Sequence, residues 1–134
     1  MSQFENKIVV VTGGTQGLGA ATATLLAERG AKGLVICGRS EENGKAQAAR
    51  LSALGTETVF VKADLSNVDD CKAVIAAADR TFGRLDSLVN AAGMTNRGTI
   101  LNTSPELFDQ LFAVNIRAPF FLMQSAIELF KRDG

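Results

Sequence analysis

"KIVVVTGGTQGLGAATATLLAERG", residues 7–30, joins three compositions that one local structure satisfies together. Residues 8–11 are apolar and β-branched, as in a strand covered on both faces. Gly13, Gly14, Gly17 and Gly19 follow, and from Gly17 onward the alanine-rich segment to position 29 reads as a helix. A strand, a glycine turn and a helix in that order aim the first helical N–H groups out of the carboxyl end of a sheet, which makes an anion site. Gly13 takes the tight turn, Gly17 lets a pyrophosphate approach the backbone, and Gly19 lets the helix pack close to the strand. Thr15, Gln16 and Leu18 share that turn and count with the glycines as candidate binding residues.

Outward from this stretch the chain alternates short apolar runs with longer helical patterns. Strands are expected at 8–11, 34–37, 58–61 and 85–89, and helices at 17–29, 41–54 and 68–82. That alternation specifies an α/β fold with an open parallel sheet and right-handed crossovers. A further helix pattern begins near Pro105, with Ser104 as N-cap, Pro105 at the first helical position and Glu106 near the positive end of the dipole. No linker or repeat divides the sequence, so residues 1–134 read as one domain.

Composition removes several classes of function. The 14 basic and 14 acidic residues balance and are interspersed, which gives no footprint for nucleic acid. No apolar run approaches the roughly 18 residues of a membrane span, and the first residues lack the pattern of a signal peptide, so a cytoplasmic protein is expected, with no membrane partner. Cys37 and Cys71 have no metal-binding spacing and there is no histidine to join them; no metal is expected, and both read as buried fillers.

The spacing Thr12-Gly13-x-x-x-Gly17-x-Gly19 differs from G-x-G-x-x-G. With it, "ADL" at 63–65, "LDSLVNAAG" at 85–93 and "VN" at 114–115 follow in order, and the sequence resembles the short-chain dehydrogenase/reductase family over its whole length. The resemblance implies the first half of a doubly wound, Rossmann-like sheet with strand order 3-2-1-4. It also implies an NAD(P)-dependent oxidoreductase that moves a hydride between nicotinamide and an alcohol or carbonyl carbon of a small-molecule substrate. By the same resemblance Asp64 and Leu65 hold the adenine edge, and Asn90, Ala91, Ala92 and Gly93 line the ribose and support the strand end.

Charge chooses the cofactor. At the end of the second strand, where NAD-preferring enzymes of this fold carry a carboxylate, the sequence reads Cys37-Gly38-Arg39-Ser40. Gly38 leaves room, while Arg39 and Ser40 offer charge-assisted and neutral hydrogen bonds to a 2′-phosphate, so NADP is expected over NAD. Glu41 and Glu42, at the start of a helix, are expected to point to solvent.

Family members use a tyrosine, a lysine four residues later and a serine for proton transfer. This chain contains no tyrosine. The family's order places those residues after the next strand, so the expectation is an incomplete domain whose catalytic half lies beyond Gly134 and which is inactive alone. The alternative is a dinucleotide-binding module or subunit without turnover. Asn115 matches the family's helix asparagine, whose carbonyl holds a catalytic water. Pro119, four residues on, has no N–H to occupy that carbonyl, and a kink is expected there. Five of the eight phenylalanines lie between 108 and 130. A helix so apolar all round is covered on more than one side. The resemblance implies that this helix also packs against a neighbouring subunit, so a homo-oligomer is expected; the alternative is cover by further strands and helices of the same domain.

Overall fold

In the computed structural model, which describes residues 3–133, β1 (Ile8–Thr12) is buried along its whole length. Its side chains alternate between two cores, as the pleat requires. Val9 and Val11 join Leu34 and Ile36 of β2 (Gly33–Gly38) beneath α1 (Gly17–Glu28) and α2 (Glu41–Ala53). Val10, Val35 and Cys37 face the other way, onto Val74, Ile75 and Ala78 of α3 (Val68–Phe82) and Ala118, Leu122 and Ala126 of α5 (Ala118–Asp133). This two-sided cover explains why the strands read as continuous apolar runs.

The sheet has the order β3-β2-β1-β4, all parallel, with β3 at Glu57–Lys62 and β4 at Ser87–Asn90. The fold class and strand order are those the sequence implied. Thr12 stands opposite Cys37 on one side and Asn90 on the other, so the strands end at one edge. There the strand order reverses, from β2 and β3 on one side of β1 to β4 on the other, the place where open α/β sheets form a crevice.

Most boundaries shift by a residue at an end, and two places differ more. β4 starts at Ser87 because Leu85 is already core and the Asp86 carboxylate accepts the Ile8 N–H at 2.8 Å while Arg84 holds its other oxygen at 2.5 Å. The pattern from Pro105 is two helices. α4 (Pro105–Phe112) opens with Leu107 N–H donating to Ser104 Oγ at 3.1 Å, as expected. A π turn, Ala113–Arg117, then joins it to α5, with Ala118 N–H bonded to the Ala113 carbonyl. Pro119 cannot donate to Asn115, and where a kink is expected the helix carries a widened turn just before the proline. Both cysteines are buried and unpaired with each other, and burial pushes the Cys37 thiol up to about 11.

Candidate functional site

The crevice at the carboxyl edge has a volume of about 410 Å³. Its floor is the glycine turn. Gly13 (φ +66°) and Gly17 (φ +57°) are both left-handed, and nothing stands within 4 Å of where a Gly17 side chain would be. Gly19 packs against that same turn, not against the strand as expected: a Cβ there would strike the Gly13 carbonyl oxygen.

α1 is set apart from its neighbours at its N-terminus. Ser40, Asn67 and Ser104 cap α2, α3 and α4 with side-chain oxygens, and each of those helices carries acidic residues in its first turn. At α1 the N-cap Gln16 makes no such bond and the first turn holds no acid. Ala20 N–H reaches the Gln16 carbonyl at 3.1 Å, which leaves the N–H groups of Gly17, Leu18 and Gly19 as donors without a side-chain cap. Thr15, Gln16 and Leu18 all border the crevice, the last 78% exposed.

The second wall comes from β2 and α2. Arg39 and Ser40 line it together with Asn43, whose N–H donates to Ser40 Oγ at 3.2 Å and leaves the Ser40 proton free to be given elsewhere. The room expected at Gly38 is instead filled by Thr15, whose Oγ1 and Cγ2 lie 3.1 and 3.2 Å from a Cβ built at Gly38. Its smallness serves the glycine turn. Glu41 is drawn aside by Lys45, 3.1 Å away, and that bond and charge, aided by Lys62, hold the carboxyl below its usual range.

Asp64 and Leu65 form the third wall. Ser66 donates its hydroxyl at 2.7 Å and its N–H at 3.0 Å to Asp64 Oδ1. These two bonds, with a smaller contribution from the Arg39 charge, hold the Asp64 carboxyl below its usual 3.8. A lowered native value means that the loop is stabilised above the unfolded value and loses that contribution as pH falls through the native one. In a carboxyl titration followed by NMR, Asp64 is expected to titrate below 3.8 and to move back up in Ser66→Ala; an unchanged midpoint in that variant would contradict the assignment.

The fourth wall is the segment after β4, where Ala91, Ala92 and Gly93 border the crevice. Thr12, buried and assigned no role from sequence, accepts the Ala92 N–H at 3.2 Å and so ties this wall to the end of β1. Asn90 lies outside the lining, because it is still paired in the sheet opposite Thr12. Asn115 also lies outside it, whereas Val114 and Gln110 are inside. The Asn115 side chain acts on the wall from behind: Met94 N–H donates to its Oδ1 and its Nδ2 donates to the Met94 carbonyl, both at 2.8 Å. Sequence reasoning considered only the Asn115 backbone. Asn43, Met94 and Gln110 were missed as lining residues, although Asn43 stands at the cap spacing from Ser40.

Among the described residues no group of histidine, cysteine and acidic side chains is placed to hold a metal ion, and no helix is long and apolar enough to cross a membrane.

A family model described as short chain dehydrogenase matches residues 7–134. A protein named "uncharacterized oxidoreductase" from Thermotoga maritima is 40% identical over 98% of this chain and 51% of its own length. Versicolorin reductase 1 of Aspergillus parasiticus is 33% identical over 98% of this chain and 50% of its own. Among solved structures, a short chain dehydrogenase from Burkholderia cenocepacia in complex with NADP superposes with a TM-score of 0.91 at 32% identity, over 95% of this chain and 52% of that one. A metagenomic short-chain oxidoreductase in complex with NADP gives 0.87 at 33% identity, over 94% and 57%. The chain spans about half the length of the curated relatives it matches.

Proposed function

The chain belongs to the short-chain dehydrogenase family, and from that premise we propose that residues 1–134 form one NADP(H)-binding domain of an oxidoreductase. The reaction proposed is hydride transfer between nicotinamide and an alcohol or carbonyl carbon of a small-molecule substrate. One observation carries this reading: the uncapped N-terminus of α1, with an open Gly17, shares a crevice with Arg39 and Ser40. The first site suits a pyrophosphate and the second a further phosphate, and a dinucleotide with a 2′-phosphate offers both.

The residues fit such a group without rearrangement of charge. In this reading the Gly17, Leu18 and Gly19 N–H groups bind the pyrophosphate, and Gly13, Thr15 and Gln16 shape the turn beneath it. Arg39 and Ser40 take the 2′-phosphate, which Glu41 does not oppose because Lys45 holds it. Asp64 offers Oδ2 to the adenine amine, its Oδ1 being engaged with Ser66, and the Leu65 backbone meets the ring edge. Ala91, Ala92 and Gly93 flank the ribose, and Asn90 supports them from the strand. Asn115 is the catalytic contributor proposed from this chain, through the backbone carbonyl that Pro119 leaves without an α-helical donor. When bound, the nicotinamide supplies or accepts the hydride.

An oligomer belongs to the same proposal. Phe108, Phe112, Ile116, Phe120, Met123 and Ile127 follow one another at helical spacing along α4, the π turn and α5, each about half exposed.

Calorimetric titration tests the cofactor reading. NADPH is expected to bind the chain and NADH to bind less tightly; failure of NADPH to bind would overturn it.

A further inference from the structure

The π turn touches two walls of the crevice at once. Asn115 brackets Met94 on the post-β4 side. Two residues later, Arg117 Nη2 donates to the backbone carbonyl of Ser66, 51 positions away in sequence. Ser66 is the residue that fixes the Asp64 carboxylate, and the Asp64 N–H in turn donates to Asp70 Oδ2 at 2.8 Å. The short loop 64–66 is therefore held at one end by the first turn of α3 and at the other by Arg117.

Arg117 is exposed and belongs to neither apolar core. Holding a long cationic side chain in one conformation costs rotamer entropy, and a surface position returns little of it through packing. What the fixed guanidinium does is present a charged donor to one carbonyl, a stronger bond than a neutral N–H makes. The partner it selects is Ser66, whose hydroxyl and N–H hold the Asp64 carboxylate.

We propose that Arg117 is a positioning residue for the adenosine end of the nucleotide. Through Ser66 it sets where the Asp64 carboxylate and the Leu65 backbone stand. By sharing a π turn with Asn115 it also sets their distance from Met94 on the wall after β4. The inference rests on the NADP(H) reading and adds to it a residue that does not line the crevice.

The test compares Arg117→Ala, Arg117→Gln and Arg117→Lys in the full chain, with NADPH and with 2′,5′-ADP, the adenosine half alone, as probes. Loss of the charged donor is expected to weaken both probes about tenfold in the alanine and glutamine variants, with most of the affinity recovered in Arg117→Lys. Asp64→Asn should weaken binding in the unmutated background and add almost nothing to Arg117→Gln, since both act through one loop. A side chain that merely stabilises the fold would give additive losses and no recovery by lysine. Amide exchange supplies a reading without ligand: residues 64–66 should exchange faster in Arg117→Gln while β1 and β2 stay as protected as before.

Additive losses, unchanged affinities or unchanged exchange at 64–66 overturn the assignment of Arg117 alone. Absence of binding of either probe by the unmutated chain overturns the nucleotide reading, and this inference with it.

Discussion

Gly19→Ala is expected to cost the chain at least about a hundredfold in NADPH affinity, the equivalent of roughly 2.7 kcal/mol. The added methyl group would strike the Gly13 carbonyl oxygen, with Gly13 C and Gly14 Cα close behind it. All three are backbone atoms, so no rotamer change relieves the contact. Either the turn is rebuilt or the first turn of α1 moves away. The helix end is expected to be the part that yields, because the turn is anchored to the buried end of β1. That end carries the N–H groups assigned to the pyrophosphate. Overpacking of this kind costs about 1–3 kcal/mol of stability, so the melting temperature should fall by several degrees while the fold persists. Calorimetry with NADPH and thermal melts of both proteins read the two effects separately. Affinity within about threefold of the unmutated chain would show that the α1 terminus is not where the nucleotide binds.

The second large effect concerns choice between cofactors. NADPH should bind roughly tenfold to a hundredfold more tightly than NADH, because a charge-assisted hydrogen bond contributes about 1.5–3 kcal/mol. In Arg39→Ala that preference should nearly vanish, by loss of NADPH affinity with NADH unchanged. Arg39 is exposed, so the preference should also narrow as salt is raised. A further readout lies across the crevice. Arg39 contributes to the lowered Asp64 carboxyl, so its removal should let that group titrate slightly higher while Ser66 keeps most of the shift. Equal loss of NADH and NADPH affinity would place Arg39 on the adenine or ribose instead of the 2′-phosphate.

Much of this arrangement was legible in the sequence for a physical reason. A strand buried on both faces must be apolar throughout, a helix must repeat its apolar positions, and a turn beneath an anion needs glycine; each requirement leaves a mark on adjacent residues. Gly13 and Thr15 to Gly19, with Arg39, Ser40, Asp64, Leu65 and Ala91 to Gly93, all come together in the crevice. What escaped is of another kind. The bonds from Asn115 to Met94, Arg117 to Ser66 and Ala92 to Thr12 join residues 21, 51 and 80 positions apart, and a single side chain meeting a distant backbone atom has no period to detect. The π turn escaped because proline announces a missing donor but not how the helix absorbs the loss. Thr15 beside Gly38 escaped because two loops meet there in space only.

The order β3-β2-β1-β4 also dictates a sequence of events in time. β1, β2 and β3 pair with neighbours one crossover away, whereas β4 returns across the whole unit to β1, and the bonds between Ile8 and Asp86 close a separation of 78 residues. Contacts of such long range are slow to form, since the chain surrenders loop entropy before it gains them. The wall made by Ala91, Ala92 and Gly93 exists only once that closure has happened. A nucleotide can therefore grip the four-walled crevice only after that closure. It acts as a brake on unfolding and leaves the rate of folding as it was.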